Sequence, residues 1–189
     1  MLSEKKTIVA CSTPPGRGAI STVRLSGNKA IDIIQKITRK KLKKKSHILY
    51  FPLDKALKEK CVLTIYRSPN SYTGENVVEI STHGNPLIVE KVIQQCLNAG
   101  AFIAEPGEFT LRAYLNNKLT IDQSEAVIDV INANSSASLK AAQNSLDGGL
   151  RVRISKVQQK LRETRVLVET LIDFVDEDVN IFIEEVKDK

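Results

Sequence analysis

Chemically capable side chains stand at four unexpected places in this sequence. Arg24 interrupts the apolar run Ala19-Ile20-Ser21-Thr22-Val23-Arg24-Leu25, and Glu79 interrupts Val77-Val78-Glu79-Ile80. Burying either charge alone is costly. The two therefore pair with each other, or lie at wet strand ends, or line a cleft. In such a cleft the carboxylate accepts two donors from a planar ring while cations hold acidic groups. Pro14-Pro15-Gly16-Arg17-Gly18 carries a cation in a glycine-rich turn. It fits neither common phosphate-binding glycine motif, and reads as a structural turn or as one that brings backbone close to a ligand or a second subunit. His83, one of two histidines, follows the Glu79 run and precedes a helix start, a position open to a base, a ligand contact or a structural role. Ser, Cys and His form no nucleophile arrangement, and the carboxylates and histidines have no metal-ligand spacing. The residues by themselves lead to a small-molecule cleft, not to a reaction.

The elements that must position these residues are legible from periodicity. Residues 7–11 and 19–25 are short β-branched runs on either side of the 14–18 turn. Residues 28–37 repeat Ile31, Ile34 and Ile37 at helical spacing, with Ser26-Gly27-Asn28 as the entry. Strands are expected over 48–51, 61–66 and 76–82. In the last of these, Val77, Glu79 and Ser81 share one face, and Val78, Ile80 and Thr82 the other. Asn85 suits an N-cap and Pro86 the first helical position. Ile88, Val92, Ile93, Cys96 and Leu97 give that helix its apolar stripe, and Gly100 suits its exit. After a short strand over 101–104 the strand signals end, and helices are expected over 108–116, 121–134 and 136–147, with Gly148-Gly149 weakening the join to a longer one. This mixture without strict βαβ repetition predicts an α+β domain followed by an all-helical segment, with the boundary near Leu119. The long helix carries Leu150, Ile154, Val157, Leu161, Val168, Leu171 and Val175 in steps mainly of three and four, a stripe that wants a neighbour to cover it.

The 189 residues, 42% of them hydrophobic, allow one real core and a second, smaller unit. Cys11, Cys61 and Cys96 are widely spaced and suggest reduced thiols. Residues 1–6 lack the apolar stretch of a secretory signal and no run reaches the length of a membrane span, so a cytoplasmic protein is expected. The net charge of +6 is uneven: residues 160–189 hold nine acidic against five basic groups. Much of the basic excess lies in Arg39-Lys40-Lys41-Leu42-Lys43-Lys44-Lys45, which meets phosphate backbones or is a solvated loop; no interleaved aromatics offer a base-stacking surface.

Several long segments together resemble the MnmE (TrmE) family of tRNA-modifying GTPases. They are residues 7–18, Val23-Arg24-Leu25-Ser26-Gly27, residues 70–80, His83-Gly84, residues 106–119, Gln123-Ser124-Glu125-Ala126-Val127 and Ile172-Asp173-Phe174. Asn85, Glu105 and Val175 depart from the usual pattern. The resemblance implies an α+β domain over 1–118, related to the tetrahydrofolate-binding fold of aminomethyltransferases. That domain would bind 5-formyl- or 5,10-methylenetetrahydrofolate and form a homodimer, with the first half of a helical domain over 119–189. The family's folate contacts fall on Arg24, Glu79 and Lys118, with Arg17 and His83 as additional candidates. The folate would supply the one-carbon unit for a carboxymethylaminomethyl or aminomethyl group at C5 of the wobble uridine of tRNA, together with the FAD-dependent partner MnmG (GidA). GTP hydrolysis, with potassium and magnesium, belongs to an inserted domain. No P-loop lysine motif occurs before Lys189, so this chain is expected neither to bind nor to hydrolyse GTP. Two other readings stand beside this one: a free-standing folate-binding module without enzymatic activity, and a nucleic-acid binder acting through the 39–45 run.

Overall fold

A computed structural model describes residues 6–43 and 45–173. Two compact units divide at Thr120 and Ile121, and each is described by itself.

The first unit is built on a six-stranded sheet. Its strands are β1 (Ile8–Cys11), β2 (Gly18–Ser26), β3 (Ser46–Pro52), β4 (Lys58–Tyr66), β5 (Val77–Gly84) and β6 (Phe102–Ile103). The spatial order is β3-β4-β5-β2-β1-β6, antiparallel except for the short parallel β1–β6 pairing. Alternation along the strands gives the sheet two unlike faces. Val23 and Leu25, Cys61, Leu63 and Ile65, and Val78 and Ile80 are buried beneath the helices α1 (Ala30–Thr38) and α2 (Pro86–Asn98). Those helices contribute Ile31, Ile33, Ile34, Val92 and Cys96 to the same core. Each fully buried aliphatic or aromatic side chain, such as Leu25 or Phe51, stabilises the fold by about 1.5–3 kcal/mol. The opposite face presents Thr22, Arg24, Glu79 and Ser81, with exposed Ile48 and Val62 towards the β3 edge.

Local chemistry explains where elements begin and end. Asn85 caps α2 by accepting from the Leu87 N–H at 2.9 Å, and Pro86 follows at the first helical position. Helix α1 starts at Ala30 rather than at 28, and the chain entering it is tied down by a hydrogen bond in which the Lys29 N–H donates to Thr7 Oγ1 at 3.1 Å. Gly27 makes this possible, because its φ is +140° and a Cβ there would meet Thr7 within 3 Å. Strand β5 runs two residues beyond 82, through His83 and Gly84, because β2 already begins at Gly18 and continues to pair with it. A helix α3 (Glu108–Leu115) closes the unit.

The second unit is helical among the described residues: α4 (Ile121–Asn132), α5 (Ser136–Leu146) and α6 (Gly149–Asp173). Ser135 and Ser138 form a reciprocal capping box at the start of α5. Ala126 and Ala142 are buried, whereas Leu150, Ile154, Val157, Leu161 and Val168 along α6 are all exposed. Val175 and Phe174 of the sequence reading lie outside the described residues. No described helix is long and apolar enough to cross a membrane.

Candidate functional site

Cross-strand register brings the two isolated charges together. Arg24 of β2 stands directly opposite Glu79 of β5 on the face not covered by α1 and α2. Arg24 Nε donates to Glu79 Oε1 at 2.9 Å, and Nη2 reaches the same oxygen at 2.7 Å. The pairing foreseen as one alternative is therefore made. It uses one carboxylate oxygen twice and leaves Oε2 accepting from no described residue. The side chains remain 26% and 22% exposed, so both ions keep an accessible side.

Two aromatic rings flank the guanidinium. Its carbon lies 5.6 Å from the centroid of Tyr72 and 5.7 Å from that of Phe109, within cation–π range. Tyr72 belongs to the loop before β5 and Phe109 to the first turn of α3; the Tyr72 hydroxyl and Thr110 Oγ1 are hydrogen-bonded at 2.9 Å. The charged pair thus sits beside flat apolar surfaces, the combination that suits a planar heterocycle bearing N–H donors. Lys118 follows the end of α3. Asn117 adopts a left-handed φ of +55°, and the Lys118 N–H returns to the Ala113 carbonyl at 2.8 Å. Its aliphatic stem lies against Gly74, with Cγ 3.3 Å from where a Cβ on Gly74 would stand.

A second, more buried Arg–Glu pair, which sequence reasoning did not single out, meets the same face of β2 at Ser26. Glu75 Oε2 accepts from Ser26 Oγ at 2.8 Å and from Arg112 Nη1 at 3.0 Å. Ser26 Oγ also contacts Thr73 Oγ1 at 2.7 Å. Arg112 holds Glu108 Oε1 through Nη2 at 2.8 Å and Nε at 3.2 Å. Burial would raise the Glu108 pKa, but the Glu105 N–H and the Arg112 guanidinium outweigh it and hold the carboxyl below its ordinary value. This network fastens the 72–75 loop and α3 to β2, and so fixes the elements that carry Tyr72, Phe109 and Lys118. The available signal was weak: Glu75 and Arg112 lie 37 residues apart, one in a loop and one at an ordinary helical position.

Arg17 and His83 stand apart from this group. Arg17 is exposed in the loop before β2. His83 lies four residues along β5 from Glu79, about 13 Å at strand rise. Its Nδ1 contacts Glu59 Oε1 at 2.6 Å, and its backbone N–H donates to the same oxygen at 3.0 Å. Among the described residues neither is bonded to Arg24 or Glu79, and no group of three or more metal-ligating side chains forms a metal site.

An accessible ion pair flanked by aromatics, on the free face of a mixed sheet, belongs here to an α+β module that is followed in sequence by helices. Comparison with known proteins places that module. Residues 7–118 match the family model described as the N-terminus of the GTP-binding protein TrmE, and residues 121–189 match the MnmE helical domain. Curated relatives named tRNA modification GTPase MnmE are similar over 97% of this chain. That of Francisella tularensis subsp. holarctica (strain OSU18) is 45% identical over 184 residues, and that of Francisella philomiragia subsp. philomiragia 45% over 185. The relative from Francisella tularensis subsp. novicida (strain U112) is 44% identical over 184 residues. The chain belongs to the MnmE family. It spans 41% of the length of these relatives and corresponds to their N-terminal and helical parts.

Proposed function

We propose that the first unit binds a reduced folate, 5-formyl- or 5,10-methylenetetrahydrofolate, with Glu79, Arg24 and Lys118 as its polar contacts. The observation that carries this reading is the one-sided Arg24–Glu79 pair. Arg24 occupies Oε1 and holds the carboxylate in place, while Oε2 is left to accept an N–H from a pterin edge. The Tyr72 and Phe109 rings supply flat surface beside it. Lys118, whose stem packs against Gly74, suits a carbonyl, formyl or glutamate oxygen. Arg17 and His83, bonded to neither Arg24 nor Glu79, are the additional candidate contacts. The donor set as a whole fits a folate: a fixed carboxylate, two cations and two aromatic rings.

In the whole protein this binding would support modification of C5 of the wobble uridine of tRNA in the cytoplasm, by a homodimer formed through the first unit and in concert with the FAD-dependent partner MnmG. What the present residues do is bind and orient. GTP, potassium and magnesium would act through the GTPase domain of the family, not through any residue discussed above. Calorimetric titration with 5-formyltetrahydrofolate tests the site: the chain should bind it, and Glu79→Gln should weaken binding by about 1.5–3 kcal/mol, the loss of a charge-assisted hydrogen bond. Equal affinity in the variant removes Glu79 from the site.

A further inference from the structure

The lysine-rich run after α1 is not a free loop. Leu42 is buried in the core, and its N–H donates to Gln35 Oε1 at 3.0 Å. Arg39 turns the chain with a left-handed φ of +53°. These anchors hold Lys40, Lys41 and Lys43 outward on a fixed backbone. Across from them, the β3–β4 hairpin brings Lys55 and Lys58. Between the two lies a cavity of about 880 Å³, lined by Arg39, Lys40, Lys55 and Lys58 and by Tyr50, whose side chain is largely exposed.

Charge neutralisation inside the cleft is slight. Asp54 also lines it, but that carboxylate is engaged: Oδ1 accepts the N–H groups of Ala56 at 2.9 Å and Leu57 at 2.8 Å, and Oδ2 holds Lys91 at 3.0 Å. None of the four lining cations is ion-paired with a described carboxylate. Four cations around so large a concavity can neutralise several phosphates spaced along a strand, and far exceed what one inorganic ion needs. A flat bilayer surface cannot enter such a cleft. An exposed tyrosine ring gives a base a surface to stack on.

We propose that this cleft at the β3 edge holds a single-stranded RNA segment, with phosphates on Arg39, Lys40, Lys55 and Lys58 and a base stacked on Tyr50. The polyanion assignment rests on geometry; the choice of RNA over DNA rests on the tRNA-modification reading above. The test is fluorescence anisotropy of a labelled 12-nucleotide RNA across a salt series, using the chain and its Lys40→Gln/Lys55→Gln/Lys58→Gln variant. The variant should bind at least ten-fold more weakly and lower the slope of log affinity against log salt by about 2, from about 0.7 per lost phosphate contact. Tyr50→Ala should weaken the RNA but not an abasic oligomer of the same charge. Undiminished 5-formyltetrahydrofolate binding by the triple variant shows that it folds and separates this proposal from the folate site. The proposal is overturned if affinity and salt slope survive the triple substitution. It is equally overturned if polyglutamate, anionic phosphatidylserine vesicles or the matching DNA bind as tightly as RNA.

Discussion

Two Arg–Glu pairs, Arg24–Glu79 and Arg112–Glu75, meet β2 two residues apart, at Arg24 and at Ser26, and differ chiefly in their access to water. The side chains of the second pair are 10% and 5% exposed, those of the first 26% and 22%. The more buried pair is surrounded by further partners, Ser26, Thr73 and Glu108, and joins three separate elements. The accessible pair joins two adjacent strands that are already hydrogen-bonded, and so adds little to their registration. Burial and connectivity therefore separate a pair that holds the fold from a pair held out for something else.

The sharpest way to break this comparison is to remove one cation from each pair. Arg112→Met strands Glu75 as a buried, unpaired charge and should cost about 3–5 kcal/mol in denaturant unfolding. The compensating Arg112→Met/Glu75→Leu variant should recover much of that loss. Arg24→Met should cost about 1 kcal/mol or less, as partly exposed pairs do, while impairing folate binding. Comparable stability losses from the two single variants would mean that both pairs are structural.

Titration sharpens the same contrast with a smaller effect. Because the folded-state pKa of Glu108 is lowered, its contribution is complete above the ordinary glutamate value of about 4.3 and is lost as pH falls through the lowered one. Unfolding midpoints measured from pH 5 down to pH 2 should fall less steeply in Glu108→Gln than in the parent chain. Asp54, lowered to about 2 by its turn N–H groups and by Lys91, adds to the same acid loss, so Asp54→Asn serves as a reference for an exposed site. The smallest effect concerns thiols. Burial pushes Cys61 and Cys96 up to about 12, whereas Cys11 is only partly covered. A thiol reagent at pH 8 should label Cys11 in the native chain and the other two only after unfolding.

What could be read in the sequence followed from how local each cause is. The alternation of Val77 to Thr82, the Asn85-Pro86 helix start and the oddity of Arg24 and Glu79 are visible within a few residues. The partner of Arg112, the hydrogen bond from Lys29 to Thr7 at the entry to α1 and the extension of β5 through Gly84 depend on residues brought together only by the sheet. The charge of the 39–45 run is plain in the sequence but its anchoring is not, because Leu42 in the core and Gln35 on its N–H are ordinary residues in sequence, and Tyr50, across the cleft, is remote from it. The roles given to Arg24, Glu79 and Lys118 towards a folate came from the family resemblance; the residues alone offered a cleft with a carboxylate and a cation.

Gly18 and Gly84 face each other across β2 and β5, and in sequence each belongs to a short glycine motif. Their constraints are unequal. A Cβ on Gly84 would stand 2.5 Å from the Gly18 carbonyl oxygen, whereas a Cβ on Gly18 meets nothing nearer than 3.9 Å. In a library of variants, position 84 is therefore a fixed letter and position 18 a negotiable one. A designer wishing to add a side chain where these two strands meet must write it into β2, because β5 has no room to spell it.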